Sequence, residues 1–158
     1  MAYSIRPFDN GDAEQLAELA LRAIREIGPH AYSSEQVETW ARRQGDAKSY
    51  RQRVHRGAVI FVAADSEDLP VAYALLEPDG HLDRLYCDPA HTRQGLAVQL
   101  LLAAEAHAGM QDIKRLYSEV SELARPAFER AGYDVTHRRD FVLDGVAIHN
   151  YAMEKRLD

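Results

Sequence analysis

The spacing of hydrophobic positions along this chain changes period several times, and each change predicts an element. Residues 3 to 8 read as a short strand, Asn10-Gly11 as a turn, and Asp12, with Gln15 three residues on, as a helix N-cap. Leu16, Leu19, Ala20, Ala23, Ile24 and Ile27 then fall on one helical face, and Gly28-Pro29 ends the run. Ser33 with Gln36 repeats the capping pattern, so a second amphipathic helix is expected from about 34 to 44, carrying Val37, Trp40 and Ala41. The polar, basic stretch 46 to 56 fits a short helix.

Two β-rich runs, Ala58 to Ala64 and Val71 to Leu76, flank the acidic turn Asp65-Ser66-Glu67-Asp68 and read as a hairpin. Pro78-Asp79-Gly80 turns into a third strand from about 81 to 87. After Asp88-Pro89 the pattern becomes apolar on nearly all sides from Leu96 through Ala108, which predicts a buried helix closed by Gly109. Leu116 to Val120 is a strand, Ala124 to Ala131 a short helix before Gly132, and 133 to 155 a pair of strands turning at Asp144-Gly145.

At 158 residues the chain is expected to form one domain around a sizeable core. Hydrophobic residues at 46% and charged residues at 28% are those of an ordinary folded protein rather than a disordered one. A formal charge of -6 without a dense Lys/Arg run argues against nucleic acid as a partner, because phosphate neutralisation supplies most of that affinity. An acidic surface tolerates cationic substrates such as amines. Cys87 is the only cysteine, so no intramolecular disulfide forms. With no apolar signal core and no run near ~18 apolar residues, no membrane association is expected, and the cytoplasm is the expected compartment.

The stretch Leu85-Tyr86-Cys87-Asp88-Pro89-Ala90-His91-Thr92-Arg93-Gln94-Gly95-Leu96-Ala97-Val98 is a strand that stops at Asp-Pro and restarts as a helix after a glycine. A helix N-terminus offers unpaired N–H groups and a positive dipole end, so such a turn suits a diphosphate. Gly95 permits close backbone approach, small Ala97 leaves room, and Arg93 adds a cation suited to phosphate.

These residues resemble the GNAT superfamily of acyl-CoA N-acyltransferases, whose signature is a Leu-Tyr-Val-x-Pro strand, then Gln/Arg-x-x-Gly-x-Gly/Ala and an apolar helix. Thr92 departs from the usual Gln/Arg. Glu119-Val120-Ser121 and Ala124 to Tyr133 are similar to the family's fifth strand and its Phe-Tyr-Glu-Lys-x-Gly-Phe helix, and Ile5-Arg6-Pro7 with Asp12-Ala13 to its opening. The resemblance implies an α/β (α+β) fold with a mixed, mostly antiparallel twisted sheet of about seven strands and about four flanking helices. It implies acetyl transfer from acetyl-CoA directly to an amine of a small molecule or an exposed amino group.

By position, the resemblance assigns pantetheine to the backbone of Leu85, Tyr86 and Cys87. It assigns pyrophosphate to Arg93, Gln94, Gly95, Leu96, Ala97 and Val98, with Ser121 and Phe128 lining the opposite wall. Tyr32 and Trp40 lie where the family's variable helices overhang the acceptor. An amine near lysine's pKa of ~10.4 must lose a proton before attack, and His81, Asp83 and Glu119 are the candidate bases. His81 and Asp83 share a face by strand alternation. Counting back from Gly95, His81 stands where some members carry a glutamate base, and Glu119 matches a strand-five glutamate used in one branch. Phe128 occupies the position of a tyrosine that protonates the departing thiolate in many members, so a water, Tyr86 or Tyr133 would substitute.

Cys87 has no paired base in sequence and reads as a small hydrophobe. The seven histidines show no His-x-x-x-His spacing, so no metal is expected. A noncatalytic CoA-binding regulatory module is the alternative that Phe128 leaves open. A phosphate-binding protein of another fold is disfavoured by the antiparallel hairpin and the absence of Gly-x-x-x-x-Gly-Lys. Monomer and homodimer are both compatible with the sequence.

Overall fold

A computed structural model describes residues 2–158. In chain order the elements are β1 (Ser4–Pro7), α1 (Ala13–Ile27), α2 (Ser34–Arg42), α3 (Ala47–His55), β2 (Val59–Ala64), β3 (Pro70–Leu76), β4 (Leu82–Cys87), α4 (Leu96–Met110), β5 (Arg115–Val120), α5 (Arg125–Arg130), β6 (Asp134–Leu143) and β7 (Val146–Arg156). Every residue of β3 is buried, and its alternation divides the interior. Ala72, Ala74 and Leu76 join Leu100, Leu101 and Ala104 of α4, whereas Tyr73 and Leu75 join Leu16, Leu19 and Ala20 of α1. Helices therefore cover both faces of this strand.

The expected sheet of about seven strands is two sheets, an antiparallel β1-β2-β3-β4 and an antiparallel β5-β7-β6. They meet at a parallel bridge between His81 and Tyr117, where the Tyr117 N–H donates to Gly80 O at 3.1 Å and Ser118 Oγ donates to Leu82 O at 2.6 Å. Gly80 is required there. Its φ is +103°, and a Cβ would stand 2.2 Å from the carbonyl oxygen of Arg115. Among the described residues no such bridge joins β4 itself to β5, so the β4 edge facing β5 is open from about residue 83 onward.

The register of β3 on β4 slips between Leu75 and Leu76: Leu75 pairs Arg84 and Leu76 pairs Leu82, leaving Asp83 as the extra residue. The bulge reverses facing. Leu82 joins the α4 core, but Tyr86, four residues on, packs with the α1 core.

Five helices form, and the polar stretch after residue 46, which fits a short helix, is α3, capped by Asp46 Oδ1 accepting from Ser49 N–H. The Ser33–Gln36 capping box of α2 and the Asp144-Gly145 hairpin, with φ of 50° and 80°, form as expected. Three details differ. Asp12 is not the side-chain cap of α1: Asp9 caps a preceding 3-10 turn, while the Asp12 carboxylate accepts the Asp9 N–H and two N–H groups of Arg6. Gly109 does not close α4, which ends at Met110. Asp112, in the left-handed region at φ 58°, brings the Ile113 N–H onto Ala108 O. Nor is α4 buried all round, since Leu102 is 55% and Met110 81% exposed. Among the described residues, no helix is long and apolar enough to cross a membrane.

Candidate active site

The divergence of β4 from β5 opens two cavities of similar size. One, of about 330 Å³, lies between the end of β4 and the start of α4. The other, of about 310 Å³, lies between β4, β5 and the β6–β7 hairpin under α2. Trp40, Leu85, Tyr86, Ser121 and Ala124 line both, so the two join there.

In the first cavity, Leu85, Tyr86, Cys87 and the run Arg93 to Val98 come together, as their sequence positions imply. Gly95 is the N-cap of α4 at φ 74°, and a Cβ there would meet nothing within 4 Å, so that volume is free for a ligand. The first turn of a helix leaves N–H groups without intrahelical acceptors. Those of Leu96, Ala97 and Val98 follow Gly95 on this wall. The cationic side chains lining the cavity are Arg93 and Arg130, with His91 beside them and no carboxylate. Arg130, on α5, has no marked signal in the sequence and is brought here only by the turn of α5 against α4. A dipole end, unpaired donors, open backbone at β4 and acid-free cations fit a ligand with a pyrophosphate and an amide-bearing arm.

The Cys87 thiol is pushed up to about 11 by burial, with Asp88 adding to it, so it stays protonated at neutral pH. Tyr86 is pushed up to about 12 by burial, and its hydroxyl accepts from Trp40 Nε1 at 3.2 Å. Ser121 Oγ accepts the Ala124 N–H at 3.1 Å, shaping the entry to α5. Phe128 lines the second cavity and packs edge-on against Tyr133, centroids 5.0 Å apart. Tyr133 lines neither cavity, and among the described residues its buried hydroxyl has no partner.

In the second cavity, Tyr32 and Trp40 form an aromatic edge with centroids 5.7 Å apart, and Tyr32 also leans on His149 at 5.4 Å. Of the three candidate bases, Asp83 and Glu119 line this cavity and His81 does not. His81 is clamped, its Nδ1 2.6 Å from Glu77 Oε1 and its Nε2 2.8 Å from Glu119 Oε1, with its ring stacked on Tyr117. The Glu119 contact, aided by Glu77, raises it to about 9, so it is an imidazolium at neutral pH. In return the His81 hydrogen bond holds the Glu119 carboxyl below its ordinary value. Asp83 takes a hydrogen bond from Arg53 Nη1 at 2.5 Å. Ligand-type atoms of Glu77, His81 and Asp83 lie within 4.8 Å of one another, a convergence that histidine spacing alone does not reveal. All three already carry the ion pairs just described or, for Glu77, one to Arg53 at 3.4 Å.

Three lining residues went unnoticed in the sequence. Arg84 is turned by the Asp83 bulge toward Tyr50 and Gln44, and Arg139 of β6 stands opposite Asn150 of β7. His149 of β7 places Nε2 2.8 Å from Glu122 Oε2, and among the described residues its Nδ1 has no partner. A carboxylate only accepts, so the Glu122 contact selects the forms of the ring in which Nε2 carries a proton.

The profile of the Acetyltransferase (GNAT) domain family matches residues 29–155. The chain belongs to the GNAT acetyltransferase family. It is a GNAT N-acetyltransferase. It is 26% identical over 149 residues to YafP, an uncharacterized N-acetyltransferase of Escherichia coli K12, covering 94% of this chain and 93% of that protein. A GCN5-related N-acetyltransferase structure from Rhodopseudomonas palustris superposes with a TM-score of 0.88 at 28% identity, over 99% of this acetyltransferase and 97% of that chain. The PaiA N-acetyltransferase of Thermoplasma acidophilum, solved in complex with coenzyme A, shares the fold at a TM-score of 0.80 and 23% identity, over 99% of this chain and 100% of that one.

Proposed function

We propose that this acetyltransferase holds acetyl-CoA in the cavity at the head of α4 and a small primary amine in the cavity beneath α2, with transfer where the two join. The observation that carries this reading is the shared wall of Trp40, Leu85, Tyr86, Ser121 and Ala124, because direct transfer requires both reactants to reach one point. The chain acts as one acyltransferase domain, with both cavities drawing on residues from Ala23 to Asn150. Arg93, the Gly95–Val98 N–H groups and Arg130 hold the phosphates, and the open β4 backbone at Leu85 to Cys87 holds the pantetheine amides as an added strand would.

The amine, its ammonium proton first lost to solvent, attacks the thioester carbonyl carbon through nitrogen, the C–S bond breaks, and one further N–H proton must leave. His149 Nδ1 is the acceptor for that proton, since His81 is already charged and Asp83 and Glu119 are held in ion pairs. Glu122 fixes the ring and stabilises the imidazolium that forms. His81 is a positioning residue that anchors Glu119. The Tyr86 hydroxyl, at about 12, keeps its proton against a thiol of ~8.5. It therefore stabilises the departing thiolate by a hydrogen bond while solvent supplies the proton.

Thiol release from acetyl-CoA, followed across a panel of primary amines, tests this reading. The expected result is amine-dependent CoA release that falls by about 10²-fold or more in kcat for His149→Gln. CoA binding without amine-dependent release would favour the noncatalytic module, and an unchanged kcat in His149→Gln would remove His149 as the base.

A further inference from the structure

The acceptor cavity carries a charge pattern at odds with the net acidity of the chain. Its two carboxylates, Asp83 and Glu119, are answered by cations that do not line it: Arg53 on Asp83 at 2.5 Å and His81 on Glu119 at 2.8 Å. Its two guanidiniums are not matched in the same way. Arg84 reaches Asp83 only at 3.7 Å and otherwise contacts the neutral Gln44 and Tyr50. Arg139 makes no ion pair within 4.0 Å among the described residues, although its charge reaches Glu119 across the cavity and helps hold that carboxyl below its ordinary value. Its Nη1 donates to Asn150 Oδ1 at 2.8 Å, and its Cζ lies 5.0 Å from the Phe141 ring centroid. A half-buried guanidinium fixed by a neutral amide and an aromatic face has open N–H groups in a set orientation, the arrangement that binds a carboxylate through two hydrogen bonds.

A bare amine would be repelled by Arg139, so an acceptor whose carboxylate meets Arg139 must turn the nitrogen on its adjoining carbon toward the junction where acetyl transfer occurs. The same cavity, of about 310 Å³, also presents Phe141, Leu143, Ile148 and Leu85, an apolar lining suited to the hydrophobic side chain of a small molecule. We infer that the acceptor is an amino carboxylate with an apolar body, its carboxylate on Arg139 and its amine at the Trp40–Tyr86 junction. This inference rests on the proposed acceptor cavity and names the substrate class it takes.

The test compares kcat/KM for phenylalanine and methionine with that for phenethylamine and 3-(methylthio)propylamine, which lack only the carboxylate. The amino acids should be preferred by ~10-fold or more, as for a charge-assisted bidentate pair. The preference should fall toward one in Arg139→Gln and stay intermediate in Arg139→Lys. A wild-type ratio of one or below, or a ratio unchanged in folded Arg139→Gln, overturns the inference. Equilibrium binding to the CoA-loaded protein supplies a readout independent of turnover and of variant folding: 3-phenylpropanoate should bind wild type more tightly than phenethylamine. If neither acceptor releases thiol but 3-phenylpropanoate binds, the transfer reading fails and the anion site stands. If phenethylamine binds equally or better, the anion site fails whatever the turnover.

Discussion

His81 shows how a single residue changes meaning between sequence and structure. As an isolated histidine after a turn it suggests a base, yet its two carboxylate partners keep it charged and outside both cavities. A group whose folded pKa lies above its ordinary 6.5 adds stability that is fully present below that value and is lost as pH rises through about 9. The groups facing it are Glu77, Glu119 and, more distantly, Asp83, with Tyr117 beneath the ring. Urea unfolding should therefore show stability falling by on the order of 2 kcal/mol between about pH 6 and pH 10, after allowance for the part-exposed carboxylates. In His81→Gln that dependence should flatten; a wild-type stability that is level or rising over this window would contradict the ion-pair clamp. His149, by contrast, gives no sequence signal, because its partner Glu122 is 27 residues away and only the β5–β7 pairing brings them together. Arg84 and Arg139 escape notice for the same reason: which way a strand residue faces depends on a bulge or a hairpin register.

At the scale of elements, the strand–turn–helix from Leu85 to Val98 is the most legible part of the site, since its chemistry is local. A glycine in the left-handed region, a helix start and a flanking arginine can be read from adjacent letters. Gly95→Ala should lower stability by about 1 kcal/mol, the cost of a left-handed non-glycine residue, and should weaken CoA binding by ~10-fold or more in titration calorimetry. Affinity unchanged in that variant would mean that the phosphates do not pass over the free volume at Gly95. Elsewhere local signals misled. The uniform apolarity of α4 hides an exposed edge at Leu102 and Met110, because side-chain hydrophobicity alone does not say which turns face solvent. Asp12 looks like a cap by spacing, but Arg6 of β1 takes both carboxylate oxygens and ties the strand to the helix start.

At the scale of the whole molecule, the order of strands and helices follows from periodicity and turn residues, whereas the division into two sheets does not. It depends on Gly80 pressing against Arg115 and on the β4 edge then parting from β5, a relation between segments more than 30 residues apart. That parting creates both cavities and their common wall, so the location of the chemistry is a consequence of topology rather than of a motif. Backbone-amide NMR during stepwise addition of CoA and then of an acceptor amine tests this arrangement most directly. CoA should shift the amides of Leu85 to Cys87 and Gly95 to Val98, leaving Arg139 and His149 largely unmoved until the acceptor is added. CoA-induced shifts centred on the β6–β7 hairpin, or acceptor shifts remote from Arg139, His149 and Trp40, would contradict the two-cavity account.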